Sequence, residues 1–202
     1  MLKIAVLVSG GGTNLQSIID HCQDQYINGE IVLVVSNRKN AYGLTRAMHA
    51  NIKTEVIRKN DELLISRLLE EQVDLVVLAG YLAILSEKFI TTFKNKIINI
   101  HPSLIPSFCG AGYYGLHVHE AALKRGVKVS GATVHFVNEE VDGGPIILQE
   151  AVDISDLNTA EEIQNRVLEI EHRILPLAVK LYCENRIIID KGRTIIKWKK
   201  ER

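Results

Sequence analysis

Four short, almost unbroken aliphatic runs, at residues 2–8, 31–35, 75–79 and 97–100, constrain this chain more than any other feature. A strand with one wet face alternates apolar and polar side chains. A run rich in Val and Ile without alternation has to be covered on both faces. Helical stripes lie between the runs. Leu15, Ile18, Ile19 and Cys22 fall at i, i+3, i+4 and i+7, and residues 41–50 and 62–72 read the same way, the latter through Leu64, Ile65, Leu68 and Leu69. Strand alternating with helix over the first hundred residues implies right-handed crossovers and a parallel sheet. The expected fold class is α/β, doubly wound, with a mostly parallel sheet.

The second half changes character. Residues 131–137 alternate, with Thr133, His135 and Val137 on one face and Val134 and Phe136 on the other. A further strand is expected over 145–154. A long helix then opens at Thr159-Ala160-Glu161-Glu162, a capping box, with a stripe through Ile163, Val167, Ile170, Ile174 and Leu181 and a kink expected at Pro176. Residues 187–189 and 194–198, flanking Lys191-Gly192-Arg193, suggest a terminal hairpin, and Lys197, Lys199, Lys200 and Arg202 make a basic, solvated end. No repeat or linker divides the 202 residues, so a single domain is expected.

Composition excludes several function classes. Twenty-four Lys and Arg balance 24 Asp and Glu, which leaves no cationic excess for a general nucleic-acid binder. Three scattered cysteines, Cys22, Cys109 and Cys183, make a disulfide framework improbable. No stretch approaches the ~18 apolar residues of a membrane span. The expected setting is a reducing cytoplasm.

Ser9-Gly10-Gly11-Gly12-Thr13-Asn14 runs directly from the first strand into the first helix. Glycines free the backbone for φ > 0 and for close approach to a ligand, and the helix start adds orphan N–H donors. A dinucleotide loop would need Gly at Leu15, and a Walker loop needs a Gly-Lys-Ser/Thr ending that is missing. With no Lys or Arg in the loop, the expected ligand is one phosphate monoester on backbone amides and the Thr13 and Asn14 side chains. The plainer alternative is a tight turn with Thr13 or Asn14 as an ordinary N-cap.

Ile97-Ile98-Asn99-Ile100-His101-Pro102-Ser103 is the most informative stretch. Period two points Asn99 and His101 to one face, and Pro102 ends the ladder, so His101 sits at the carboxyl edge where open α/β sheets bind ligands. Two donors there suit an oxygen that becomes negative; a buried His bonded to a backbone carbonyl is the alternative. Asp142-Gly143-Gly144-Pro145 supplies a carboxylate on a turn. Next to His101 it would raise the imidazole pKa and keep a proton available; otherwise it is an Asx turn. His117-Val118-His119 lacks the ligands to complete a zinc set, and Cys109 shows no activating base. His135 either lines the same cleft or is a satisfied core residue. His21, His49 and His172 read as solvated or capping residues.

Five segments occur in order: Ser9-Gly-Gly-Gly-Thr-Asn-Leu-Gln16, Val77-Leu-Ala-Gly-Tyr81 with Ile84-Leu-Ser86, Asn99-Ile-His-Pro-Ser-Leu104, Thr133-Val-His-Phe-Val137 and Val141-Asp-Gly-Gly-Pro-Ile-Ile-Leu-Gln149. In these the chain resembles, over essentially its whole length, the phosphoribosylglycinamide formyltransferase family, folate-dependent enzymes of purine synthesis. The resemblance implies a formyltransferase fold with a Rossmann-like amino-terminal half, residues 1–100 binding phosphate and residues 101–202 carrying folate and chemistry. It implies 10-formyltetrahydrofolate as co-substrate, small-molecule substrates, no metal, and a monomer or homodimer. The substrate phosphate would lie on Gly12, Thr13 and Asn14. The pterin would enter a pocket edged by Leu82, Ala83, Ile84, Leu85 and the Val137–Asp142 loop, mainly through backbone contacts, with Asn99 also at the folate. Glu171 would hold substrate hydroxyls, and Asn99, His101 and Asp142 match the catalytic trio.

The chain departs from the family pattern at the cleft rim. Ala83 stands where the family often has Arg, the 58–62 segment is short with Arg58 as the candidate folate contact, and the 108–117 loop is long. Formyltetrahydrofolate deformylases share the trio but usually carry a preceding regulatory domain, and methionyl-tRNA formyltransferases normally carry a further carboxyl-terminal barrel. Neither extra domain is expected here. From another class, a phosphate-binding module without catalysis would leave the Asn99–His101 pair unexplained.

Overall fold

The computed structural model describes residues 1–198. Seven strands form one sheet in the order β3-β2-β1-β4-β5-β6-β7, built from β1 (Leu2–Val8), β2 (Gly29–Ser36), β3 (Thr54–Val56), β4 (Leu75–Leu78), β5 (Ile97–His101), β6 (Val129–Phe136) and β7 (Ile146–Asp153). The first five are mutually parallel; β6 and β7 add antiparallel. All four aliphatic runs are central strands, and each is covered on both faces.

On one face, α1 (Thr13–Gln23), α2 (Tyr42–His49) and α6 (Ala160–Cys183) bury Leu15, Ile18, Leu44, Val167 and Ile174 against Ile4, Val6, Val77, Ile98 and Val134. On the other, α3 (Asp61–Glu70) and α4 (Glu87–Thr92) pack Leu64, Leu68 and Phe89 on Ala5, Leu7, Val35 and Val76. α5 (Leu116–Arg125) lies against α6. At roughly 25 cal/mol per Å² of apolar surface, these two layers are the main stabilising term.

α6 begins with the expected capping box, Thr159 accepting from the Glu162 N–H while the Glu162 carboxylate accepts from the Thr159 N–H. It continues through Pro176. Proline has no N–H for the carbonyl four residues back, that of His172. The Ser17 hydroxyl of α1 donates to that carbonyl at 2.9 Å, so the missing helix bond becomes a tie between α1 and α6.

β8 (Ile187–Asp190) and β9 (Arg193–Ile196) form the expected hairpin, with positive φ at both Lys191 and Gly192. Of the basic end, Lys197 is exposed; Lys199, Lys200 and Arg202 lie outside the described residues.

Candidate active site

β1 has β2 on one side and β4 on the other, so the strand order reverses there, and the loops after β1 and β4 diverge and open a crevice at the carboxyl edge. Ser9, buried at the end of β1, spans it. Its N–H donates to the Gly80 carbonyl at 3.1 Å, its hydroxyl donates to Asn37 Oδ1 at 2.7 Å, and its oxygen accepts from the Leu82 N–H at 2.8 Å.

Of the three loop glycines only Gly12 takes a positive φ, 70°, and it is the N-cap of α1. A Cβ there would lie 2.5 Å from Gly43 Cα of α2, so the position admits no larger residue. Thr13 and Asn14 are the first helical residues, not the cap, and a glycine cap offers no side chain to the first-turn amides. Those N–H groups and the helix dipole can hold an anion. The loop carries no cation of its own, but α2 brings one: Arg46 Nε donates to the Gly11 carbonyl at 2.8 Å and Nη1 to Gln16 Oε1 at 3.3 Å. Only the packing of α2 beside α1 reveals Arg46.

Asn14 Nδ2 donates to Glu171 Oε2 at 2.6 Å, across 157 residues of chain. Burial raises the Glu171 carboxyl to about 7, with the Asn14 bond pulling the other way. Asn14 Oδ1 is buried and unpaired among the described residues. The two halves of the chain therefore meet at the glycine loop.

The register of β5 against β6 sets the second cluster. Asn99 faces His135 and His101 faces Thr133 across the ladder, so the four side chains share one face while Ile98, Ile100, Val134 and Phe136 enter the core on the other. His101 Nε2 donates to the Phe108 carbonyl at 2.9 Å, and its Nδ1 lies 3.6 Å from Asp142 Oδ2. Asn99 Nδ2 lies 3.1 Å from His135 Nε2, which is 3.6 Å from Asp142 Oδ1. Asn99, His101 and Asp142 thus converge, and His135 joins them.

Asp142 sits at φ 56° on the turn after β6 and accepts from the Gly110 N–H at 2.8 Å. Gly144 lets the turn lie on the strand end, since a Cβ there would meet the Phe136 carbonyl oxygen at 1.8 Å. Burial alone would raise the Asp142 carboxyl, but the His135 ring when protonated, the His101 ring and the Gly110 N–H together hold it below the ordinary value.

His101 departs from expectation. Asp142 does favour its protonated form, yet burial outweighs that pull and lowers the imidazole below its ordinary value. Sequence showed the carboxylate and not the depth of the ring, which is 4% exposed.

The 108–117 loop covers this cluster through Phe108 and Gly110. Cys109 on it is no activated nucleophile, because burial first, then Asp142 and Glu140, raise its thiol. His117 is exposed and pairs with Glu120, whereas His119 is buried and lowered to about 4 by burial and the neighbouring His101. Among the described residues no three His, Cys, Asp or Glu side chains could hold a metal ion.

At the rim, Ile84 is 86% exposed and Leu82 is exposed, while Ala83 is half-buried. Leu85 is buried in the second core, against which Tyr81 and Val137 pack. Arg58 is exposed between β3 and α3 and, among the described residues, forms no hydrogen bond or ion pair.

A sequence profile described as formyl transferase matches residues 2–179. Phosphoribosylglycinamide formyltransferase of Haemophilus influenzae is 47% identical over 195 residues, covering 93% of this chain and 90% of that protein. The trifunctional purine biosynthetic protein adenosine-3 of Gallus gallus is 44% identical over 206 residues, 98% of this chain, which spans 20% of that longer protein. Glycinamide ribonucleotide transformylase 1 of Symbiobacterium toebii superposes with a TM-score of 0.91 at 44% identity, covering 97% of this chain and 94% of that one.

Proposed function

The chain belongs to the formyl transferase family, and from that membership we propose that it transfers the formyl group of 10-formyltetrahydrofolate to the amine of 5-phosphoribosylglycinamide, a step of purine synthesis. The observation that carries this reading is the convergence of Asn99, His101 and Asp142 at the carboxyl edge of β5.

The substrate amine attacks the formyl carbon and a tetrahedral oxyanion develops. Asn99 Nδ2–H donates to that oxygen, and the charge of the His101 imidazolium stabilises it. The C–N10 bond then breaks, and the proton lost by the amine goes to N10, with Asp142 guiding the transfer. In the resting protein burial disfavours the charge on His101. Negative charge building on the formyl oxygen, added to that of Asp142, favours the imidazolium, whose proton comes from solvent and stays on the ring while the amine's proton goes to N10.

The 5′-phosphate is assigned to the α1 amides at Gly12, Thr13 and Asn14, and the substrate hydroxyls to Glu171, whose raised carboxyl suits a hydrogen-bonding role. The formyl folate is assigned to Leu82, Ala83, Ile84, Leu85, Asn99 and Val137. Arg58 is its candidate tail contact. Three free thiols suit a cytoplasmic setting.

Turnover of 10-formyltetrahydrofolate, followed with and without 5-phosphoribosylglycinamide, tests the reading. Folate release is expected only with both present. Release without the amine makes the chain a hydrolase, and no consumption makes it a binding module. His101→Ala and Asp142→Ala should each lower kcat by about 100-fold or more with smaller changes in KM.

A further inference from the structure

His135 lies beside the proposed reacting centre with no role in the transfer just described. It is 1% exposed, and both ring nitrogens are engaged. Nδ1 lies 2.8 Å from the Phe136 carbonyl oxygen, which can only accept, so Nδ1 carries the hydrogen. In the neutral ring Nε2 is then a bare lone pair. The only end of the Asn99 carboxamide that can lie against that lone pair is the NH2 end, and Asn99 Nδ2 is found there at 3.1 Å. Turned over, the amide would set its oxygen against the lone pair.

The ladder fixes this contact, because Asn99 and His135 are direct cross-strand partners on adjacent strands. One Asn99 N–H is thus pinned to the ring, and the second is held in the same amide plane. We propose that His135 is a positioning residue: through its Nδ1–H tautomer it fixes which end of the Asn99 amide meets the reacting oxygen. The inference rests on the formyl-transfer reading above.

Two further groups face the ring. Asp142 Oδ1 is 3.6 Å from Nε2, and a positive charge on the ring would favour the Asp142 carboxylate and disfavour charge on the neighbouring His101 ring. A proton on Nε2 would turn toward Asp142 and leave Asn99 without an acceptor. A preorganised donor is worth most where charge develops, so loss of the amide's orientation should act on kcat more than on KM.

Two substitutions separate the ring's two bonds. His135→Asn can still donate to the Phe136 carbonyl but cannot reach Asn99. His135→Gln can set an amide oxygen near the place of Nε2. His135→Asn should lower kcat by about 30- to 100-fold with KM within about threefold, and His135→Gln should return to within about fivefold of the wild type. The double variant Asn99→Ala/His135→Asn should be no slower than Asn99→Ala, since the imidazole acts only through that amide.

Wild-type kcat in His135→Asn, equal losses in the Asn and Gln variants, or multiplying losses in the double variant would each overturn the proposal. Nitrogen-15 NMR of histidine-labelled wild-type protein tests it without any variant: the Nδ1–H tautomer of His135 is expected, and an Nε2–H tautomer overturns it. Wild-type protein that transfers no formyl group with these substrates refutes the functional reading, while the tautomer still answers for His135.

Discussion

Glu171 is a carboxyl group held away from water with one amide for company, and this makes the folded chain sensitive to pH. Between the ordinary carboxyl value and about 7, the folded protein keeps a proton on Glu171 that the unfolded chain has released. Stability therefore falls as pH rises through that window, by on the order of 3 kcal/mol when complete. Glu171→Gln keeps an oxygen for Asn14 and never ionises. Its Tm should match the wild type near pH 4.5 and exceed it at pH 8, by about 6–12 °C at ~2–4 °C per kcal/mol for a chain of this size. Thermal melts across that range check this, and parallel curves would refute it. In sequence, Glu171 was a helix residue marked only by resemblance, and its depth and its Asn14 partner come from α6 lying across α1. His101 teaches the same lesson. Its neighbours were legible by period two, but the balance of burial against Asp142 was not.

Among the elements, α6 depends on an exchange between Pro176 and Ser17. Proline leaves the His172 carbonyl without its helix partner, and the Ser17 hydroxyl supplies one from α1. Ser17→Ala should cost about 1–3 kcal/mol by stranding that carbonyl, lowering Tm by about 2–12 °C. In a Pro176→Ala background the helix can reclaim the carbonyl, so the same serine change should cost distinctly less. Denaturant melts of the four proteins measure the difference, and equal losses in both backgrounds would sink the explanation. The central strands were readable because burial on both faces leaves a continuous aliphatic run. β3, α4 and α5 were not expected. β3 has three residues, none of them fully buried, and α4 has six residues. α5 buries only Val118, His119 and Ala122 of ten residues, so its stripe is too thin to stand out among polar neighbours.

At the scale of the whole molecule, the sheet order makes a single edge serve both proposed substrates, although the chain's halves do not divide between them. Glu171, from the second half, reaches the glycine loop, and the 82–85 loop, from the first half, lies where the folate is proposed. Alternation of strand and helix made the sheet foreseeable, but the interleaving depends on where α6 returns after β7, and no local pattern encodes that. Interleaving has a measurable consequence. A ligand held at the α1 amides and Glu171 ties two segments about 157 residues apart, joined in the free protein by the Asn14 bond. Saturation with 5-phosphoribosylglycinamide alone, at about 100 times its Kd, should stabilise the fold by ~2.7 kcal/mol and raise Tm by about 5–10 °C. Amide hydrogen exchange should slow at the start of α1 and around Glu171 in α6 together, with little change in the 138–144 turn. A folate analogue alone should protect residues 80–86 and the 138–144 turn instead. If the ribonucleotide protects α1 and leaves α6 unchanged, Glu171 does not touch it and the substrate lies elsewhere along the edge.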